Sequence, residues 1–140
     1  ALKFGMALLC ALAIGQIIAA ASLDTPAEYF EIVYNAYIER RDFMVEALNK
    51  MLGVAFPKPR GAFYAVVKLP VVDADTFAKW LLEEFEYNKQ TVMVAPASGF
   101  YSTPGLGKNE VRIAYVLKIE ELKGAMETLA KALEVYPGRV

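Results

Sequence analysis

The sequence predicts an α+β fold, a two-layer domain in which a small three-stranded sheet packs with about four helices. Length is the first reason, because 140 residues make one domain, or one domain with an appendage. The second is periodicity, since apolar residues recur at helical spacing in several long segments. The third is that short segments rich in aromatic and β-branched residues lie between the helical ones. Their order is helix, helix, strand, helix, strand, strand, helix.

The composition excludes several classes of function. The chain has no histidine and one cysteine, Cys10, which we expect to be an inert small hydrophobe. Without histidine there is no Ser-His-Asp or Cys-His catalysis and no imidazole metal site, so we expect no metal. The 15 basic and 16 acidic residues leave no electrostatic footprint for nucleic acid, and we expect no such partner.

Residues 1–23 form a distinct apolar segment, whose only charged residue is Lys3. The run over residues 4–23 is long enough to cross a bilayer, and the small residues at 19–22 resemble a signal-peptide cleavage site. The abundant alanines favour a helix but anchor weakly in lipid, and no tryptophan or tyrosine flanks the run. We therefore expect a packed helix, with a signal peptide and a membrane anchor as alternatives. The predicted division is residues 1–23 and residues 24–140.

Helix ends are marked by capping residues. Residues 25–28, Thr-Pro-Ala-Glu, predict the start of a helix that runs for about 25 residues, and Gly53 suits its left-handed C-terminal cap. Asp73 predicts the N-cap of a third helix. Apolar residues at helical spacing from Ile119 to Leu133 predict the last helix.

Three segments predict strands, residues 62–69, 91–95 and 111–117. The first is closed by Pro70. Residues 96–107 form a long irregular loop between the second and third strands, and loops of this kind are often functional. Its glycines precede no Gly-Lys-Ser/Thr run, so we do not expect a phosphate loop.

Arg112 is the residue whose local setting calls for an explanation. It stands in the third predicted strand among apolar neighbours and shares its face with Ala114 and Val116. An unpaired buried charge is costly, and a guanidinium fork matches a carboxylate in bidentate geometry. Arg112 therefore either binds a ligand carboxylate, forms an ion pair with Glu110 or a helix acid, or is exposed on an edge strand.

Five motifs follow one another at a characteristic spacing: Arg40-Arg41-Asp42, Gly53-Val54, Pro59-Arg60-Gly61-Ala62-Phe63-Tyr64, Val94-Ala95-Pro96-Ala97-Ser98-Gly99-Phe100 and Glu110-Val111-Arg112-Ile113-Ala114-Tyr115. Together they resemble the C-terminal small domain of the aspartate-type aminotransferases, pyridoxal-phosphate enzymes of fold type I. The resemblance covers about residues 15–140, and Gly15-Gln16 suits the helix that passes from the large domain to the small one.

The resemblance implies roles for three residues. Arg112 would bind the substrate α-carboxylate as a bidentate pair, and Phe100 and Tyr101 would lie near the mouth of the site. In this family the Schiff-base lysine, the aspartate on the pyridinium nitrogen and the phosphate-binding residues belong to the large domain, and nothing here matches them. We therefore expect no catalytic or cofactor-binding residue in this chain, no pyridoxal phosphate bound to it, and no transamination by the chain alone. An enzyme half that works with a complementary large-domain chain is the alternative.

Residues 7–14 depart from the family, which usually has an arginine and one or two prolines in this region. Their continuous helix-favouring sequence predicts an engineered or redesigned isolated domain, with a natural variant as the alternative. We expect the chain to be cytoplasmic. The expected partners are the parent's large domain and a second copy that covers the apolar N-terminal helix. Two other functions remain open: a membrane-tethered or exported α+β binding module led by residues 4–23, and a regulatory domain that binds an amino-acid carboxylate through Arg112.

Overall fold

The computed structural model describes residues 12–140. The predictions for Cys10, for residues 7–11 of the redesigned segment and for the start of the apolar run therefore lie outside the described residues. The chain divides into two compact units, Ala1–Asn35 and Ala36–Val140, which are described separately.

The first unit contains α1 (Ala13–Ser22) and the start of α2 (Ala27–Asn49). The Thr25 hydroxyl, predicted to cap α2, instead donates a hydrogen bond of 2.7 Å to the carbonyl of Ser22. The Thr25 N–H donates to the same carbonyl over 3.2 Å, so both donors of Thr25 bind the last carbonyl of α1. No residue of α1 is buried. Among residues 12–140, no helix is both long enough and apolar enough to cross a membrane.

The second unit is built on the predicted three-stranded sheet, and its strand pairs are antiparallel. Its strands are β1 (Tyr64–Lys68), β2 (Ala95–Pro96) and β3 (Glu110–Ala114), and β3 lies in the middle. In the register Val66 pairs with Arg112 and Lys68 with Glu110.

The prediction of a strand over residues 91–95 was wrong for most of its length. Pairing with β3 is confined to Ala95 and Pro96. The Thr91 hydroxyl donates to the carbonyl of Leu81, while Val92 and Val94 pack against the core. The apolar character of this segment therefore reflects burial against helices and not strand pairing. Pro96 suits the edge strand because it has no N–H to donate.

The prediction that Gly53 caps the C-terminus of α2 was wrong, because α2 ends at Asn49 and Gly53 lies in a following turn that the Val54 N–H closes onto the Met51 carbonyl. Gly53 does have the expected left-handed φ, of +83°, and a Cβ there would lie 2.8 Å from Pro70. The Asp73 carboxylate caps α3 (Ala74–Glu83) by accepting a 2.8 Å hydrogen bond from the Thr76 N–H, which lowers the pKa of that carboxyl. The last helix, α4, is Ile119–Val135.

The core lies on one face of the sheet. Val67 on β1 and Val111 on β3 are fully buried, and they belong to one cluster with residues from α2, α3 and α4. The helical contribution to this cluster includes Met44, Leu48, Phe77, Leu81, Leu122, Leu129 and Leu133. The alternate residues of β1 and β3 point to the other face, which is exposed or only partly covered. This α+β arrangement leaves one sheet face available to a ligand or partner.

Candidate functional site

Arg112 lies on the open face of the sheet. Its neighbours Val111 and Ile113 are buried, whereas Arg112 and Ala114 are exposed, as strand alternation requires. The interpretation as an arginine on an edge strand was wrong, because β3 is the central strand with partners on both sides. The strand that carries Arg112 is therefore fixed by a partner strand on each side, with Val66 and Ala95 opposite Arg112, while the arginine side chain faces outward.

Two aromatic rings flank the Arg112 guanidinium. Its Cζ lies 5.2 Å from the ring centroid of Tyr64 on β1 and 4.8 Å from that of Phe100. Both distances fall within the range of cation–π attraction, which is favourable for a guanidinium over an aromatic face. The rings restrict where the guanidinium can lie without using its N–H donors.

Within residues 12–140 the guanidinium of Arg112 has no carboxylate within 4 Å and no hydrogen-bond acceptor. The expected alternative of an ion pair with Glu110 or a helix acid was therefore wrong for this part of the chain. An exposed arginine keeps its N–H groups hydrated, so the missing partner carries no burial penalty. The planar fork is available to a carboxylate from outside the described residues.

In the loop between β2 and β3, the side chains of Phe100 and Tyr101 contact different residues of β3. A short 3₁₀ helix, Ser98–Phe100, starts where the Ala97 N–H donates to the carbonyl of Glu110 over 2.8 Å. Phe100 projects over Arg112, whereas the Tyr101 hydroxyl donates a hydrogen bond to the Glu110 carboxylate. This bond raises the pKa of the Tyr101 hydroxyl. Phe100 and Tyr101 were both expected at the site mouth. Phe100 contacts Arg112, whereas Tyr101 contacts Glu110, which lies two residues before Arg112 on β3.

Sequence reasoning missed Tyr64 and the role of Glu110 as an acceptor. The sequence places Tyr64 in the first predicted strand and in a family motif but indicates no role for it, because its contact with Arg112 depends on the antiparallel register that places Tyr64 opposite Ala114. The signal that was present is the alternation of exposed Tyr64 with buried Ala65, which places Tyr64 on the open face. Register itself is a tertiary property that a single strand does not encode.

The described residues do not fit a pyridoxal-phosphate site. Such a site requires a lysine amine inside a pocket, whereas every lysine among residues 12–140 is exposed. These lysines are Lys50, Lys58, Lys68, Lys79, Lys89, Lys108, Lys118, Lys123 and Lys131. The same part of the chain contains no group of three His, Cys, Asp or Glu residues placed to hold a metal ion.

Comparison with known proteins agrees with the motif order. The sequence profile of the family described as aminotransferase class I and II matches residues 1–129. Aspartate aminotransferase of Pyrococcus horikoshii is 36% identical over 100 residues, which cover 70% of this chain and 24% of that protein. LL-diaminopimelate aminotransferase of Desulforudis audaxviator is 36% identical over 119 residues, or 84% of this chain and 28% of the relative.

The fold of the chain is also similar to that of solved aminotransferases. The crystal structure of aspartate aminotransferase from Thermotoga maritima superposes with a TM-score of 0.71 at 33% identity, covering 89% of this chain and 29% of that one. The chain thus spans less than a third of the length of each of these three relatives. The chain belongs to the class I and II aminotransferase family, whose enzymes depend on pyridoxal phosphate.

Proposed function

We propose that this chain contributes the binding site for the substrate α-carboxylate to an aminotransferase and does not transaminate by itself. The observation that carries the proposal is the Arg112 guanidinium, held between Tyr64 and Phe100 with no carboxylate of residues 12–140 within 4 Å. A guanidinium in this setting has its two parallel N–H groups ready for a bidentate partner.

The names of the relatives support the α-carboxylate as the group that is bound. One relative is named for aspartate and another for LL-diaminopimelate, which have different side chains. What such amino acids share is the α-amino acid head, including its carboxylate. An arginine on the structural framework suits this shared group, whereas selection of the side chain belongs to residues outside this segment.

The energetics argue that the chain needs a partner. A hydrogen-bonded pair with a charged group contributes about 1.5–3 kcal/mol. A Kd of 1 mM already corresponds to about 4 kcal/mol of binding free energy. Arg112 alone therefore binds an amino acid only weakly, and the rest of the affinity has to come from the cofactor and from other residues of the enzyme.

The lysine that carries the cofactor would come from that partner, the large domain. Exposure of all the described lysines supports this division, as does the short span of the chain relative to its relatives. Pyridoxal phosphate added to the isolated chain should keep the absorbance spectrum of the free compound. A stoichiometric spectral change that disappears on substituting a single lysine would contradict this.

Apolar side chains of the first unit provide a surface for the large domain. Ile14, Ile17 and Ile18 have the i, i+3, i+4 spacing of one helix face, and each is more than 60% exposed. Leu12 and Leu23 at the ends of α1, and Tyr29, Phe30, Ile32 and Tyr34 on α2, are also exposed. A contiguous exposed apolar helix face, such as that of Ile14, Ile17 and Ile18, is typical of an interaction site. We propose the large domain as its occupant. A homodimer of the isolated chain through this surface is the competing outcome, which light scattering distinguishes.

The test is a chimera in which this chain replaces the matched segment of the Thermotoga maritima aspartate aminotransferase. Arg112→Ala should lower kcat/KM for L-aspartate by about 10- to 150-fold, the loss of one charged hydrogen-bonded pair. Arg112→Lys should recover only part of the activity, because an ammonium does not form the bidentate pair. The matched control is Lys79→Ala, which removes an exposed cation from α3. An active chimera in which Arg112→Ala stays within twofold of the parent would overturn the proposal.

A further inference from the structure

Glu110 is the nearest competitor for Arg112 along the chain. The two residues lie on the same face of β3, two positions apart, so their Cα atoms are separated by about 6.7 Å. Side chains as long as glutamate and arginine span that distance easily. Yet within residues 12–140 no ion pair joins them. Lys68, directly opposite Glu110 in the register, does not pair with it within 4 Å either.

The Glu110 carboxylate is held instead by Tyr101, whose hydroxyl donates to Oε2. The loop fixes the position of the tyrosine ring. Gly107 is buried with a φ of +69°, and a Cβ at this residue would lie 2.4 Å from the ring of Tyr101. The Gly107 carbonyl in turn accepts a 3.1 Å hydrogen bond from the Glu110 N–H. Tyr101, Gly107 and Glu110 are therefore linked pairwise by packing and hydrogen bonds, which fixes the tyrosine beside the glutamate.

We propose that Tyr101 is a positioning residue that holds the Glu110 carboxylate away from Arg112 and so keeps the guanidinium available to a substrate carboxylate. This inference rests on the proposed function of Arg112. Two adjacent loop residues then act on two residues of β3. Phe100 orients Arg112, and Tyr101 restrains Glu110.

Loss of the Tyr101 hydroxyl should allow the Glu110 carboxylate to compete with an external carboxylate for Arg112. An exposed ion pair of ordinary strength is formed for roughly 70–85% of the time. Occupation of Arg112 to that extent raises the apparent Kd for an external carboxylate about three- to sixfold. Tyr101→Phe keeps the ring that packs on Gly107 and removes only the hydroxyl, so the loop keeps its packing.

The experiment uses the complete 140-residue chain, uniformly labelled with ¹⁵N. Acetate is titrated while the Arg112 Nε–Hε resonance is followed by NMR, with sodium chloride holding the ionic strength constant. Four proteins are compared: the parent, Tyr101→Phe, Glu110→Gln and the double variant. Dispersion of the backbone amide spectrum establishes that each one is folded.

The four proteins form a double-mutant cycle. Glu110→Gln alone should leave the acetate Kd unchanged, because the acid is already restrained. Tyr101→Phe should shift the Arg112 resonance before any acetate is added and raise the Kd about three- to sixfold. Adding Glu110→Gln to Tyr101→Phe should restore both values. Such rescue is not expected from a purely structural role of the tyrosine.

Two failures are distinguishable. If Tyr101→Phe has the parent's Arg112 resonance and acetate Kd, the inference is overturned and the proposed function stands. If acetate moves the Arg112 resonance in none of the proteins, the proposed function is overturned. In that case the Arg112 resonance measured without acetate decides the role of Tyr101. If Tyr101→Phe shifts this resonance and the added Glu110→Gln reverses the shift, the positioning role is supported. If Tyr101→Phe does not shift it, the positioning role is overturned.

Discussion

Val66 and Val67 are adjacent residues of β1 with the same side chain and different surroundings. Val67 is 0% exposed and Val66 is 39% exposed. The same contrast recurs on β3, where Val111 is buried against the helices and Arg112 faces outward between two rings. One face of the sheet therefore holds the domain together, and the other presents charged and aromatic groups. Because strand alternation separates the two faces, substitutions on the open face should affect binding without unfolding the domain.

The largest effect on stability should come from the matched pair on β1. Val67→Ala removes two fully buried methyl groups and should lower the free energy of unfolding by about 1.5–3 kcal/mol. Val66→Ala should change it by no more than about 0.5 kcal/mol. Urea denaturation of both variants measures the difference. Equal losses for the two substitutions would mean that the faces do not differ as described.

The Asp73 cap of α3 should have a smaller effect on the free energy of unfolding, and that effect should depend on pH. Asp73→Ala should cost about 0.5–2 kcal/mol, because the Thr76 N–H loses its acceptor. The Thr76 N–H lowers the pKa of Asp73 in the folded chain. The stabilisation is thus complete above the unfolded pKa of about 3.9 and is lost as the pH falls through the lower folded value.

Asp73→Asn is the informative control for this cap. It keeps a capping oxygen but removes the charge, so it should retain most of the stability at neutral pH and lose this part of the acid sensitivity. Thermal unfolding at a series of pH values provides the measurement. An unchanged acid dependence in Asp73→Asn would show that other carboxylates account for it.

The smallest effect should come from a ring on the open face. Phe100→Ala removes one of the two aromatic contacts of Arg112, and cation–π contacts at exposed sites contribute about 0.5–1 kcal/mol. The ring can alter acetate binding only by keeping the guanidinium in its binding orientation, so the acetate Kd at Arg112 should rise by at most about two- to fivefold, with little change in unfolding. Leu106→Ala, a half-exposed apolar residue in the same loop, is the matched control and should leave this Kd unchanged.

Elements governed by local chemistry could be predicted from the sequence, and those governed by tertiary contacts could not. The Asp73 cap and the positive φ of Gly53 follow from rules that act within a few residues, although Gly53 lies in a turn four residues beyond the end of α2. The segment 91–94 was wrongly assigned to a strand because burial against helices produces the same apolar run as strand pairing. Thr25 carries a capping hydroxyl, but its direction depends on the helix that precedes it.

The candidate site divides in the same way. Arg112 could be singled out from the sequence because a charge within an apolar strand is conspicuous, and the family resemblance then supplied the role that we propose for it. Its surroundings depended on features that the strand itself does not encode: the central position of β3, the register of Tyr64, and the loop that turns Tyr101 toward Glu110. The fold ruled out two of the three interpretations of Arg112, the edge strand and an ion pair within residues 12–140, and binding of a ligand carboxylate is the interpretation that we propose.

The central claim is that Arg112 binds the α-carboxylate, and comparing two substrates in the chimera tests it most directly. β-Alanine is aspartate without its α-carboxylate. Arg112→Ala should lower kcat/KM for L-aspartate by about 10- to 150-fold and leave the slow reaction of β-alanine unchanged. An equal loss with both substrates would contradict the assignment, because Arg112 would then act on something other than the α-carboxylate.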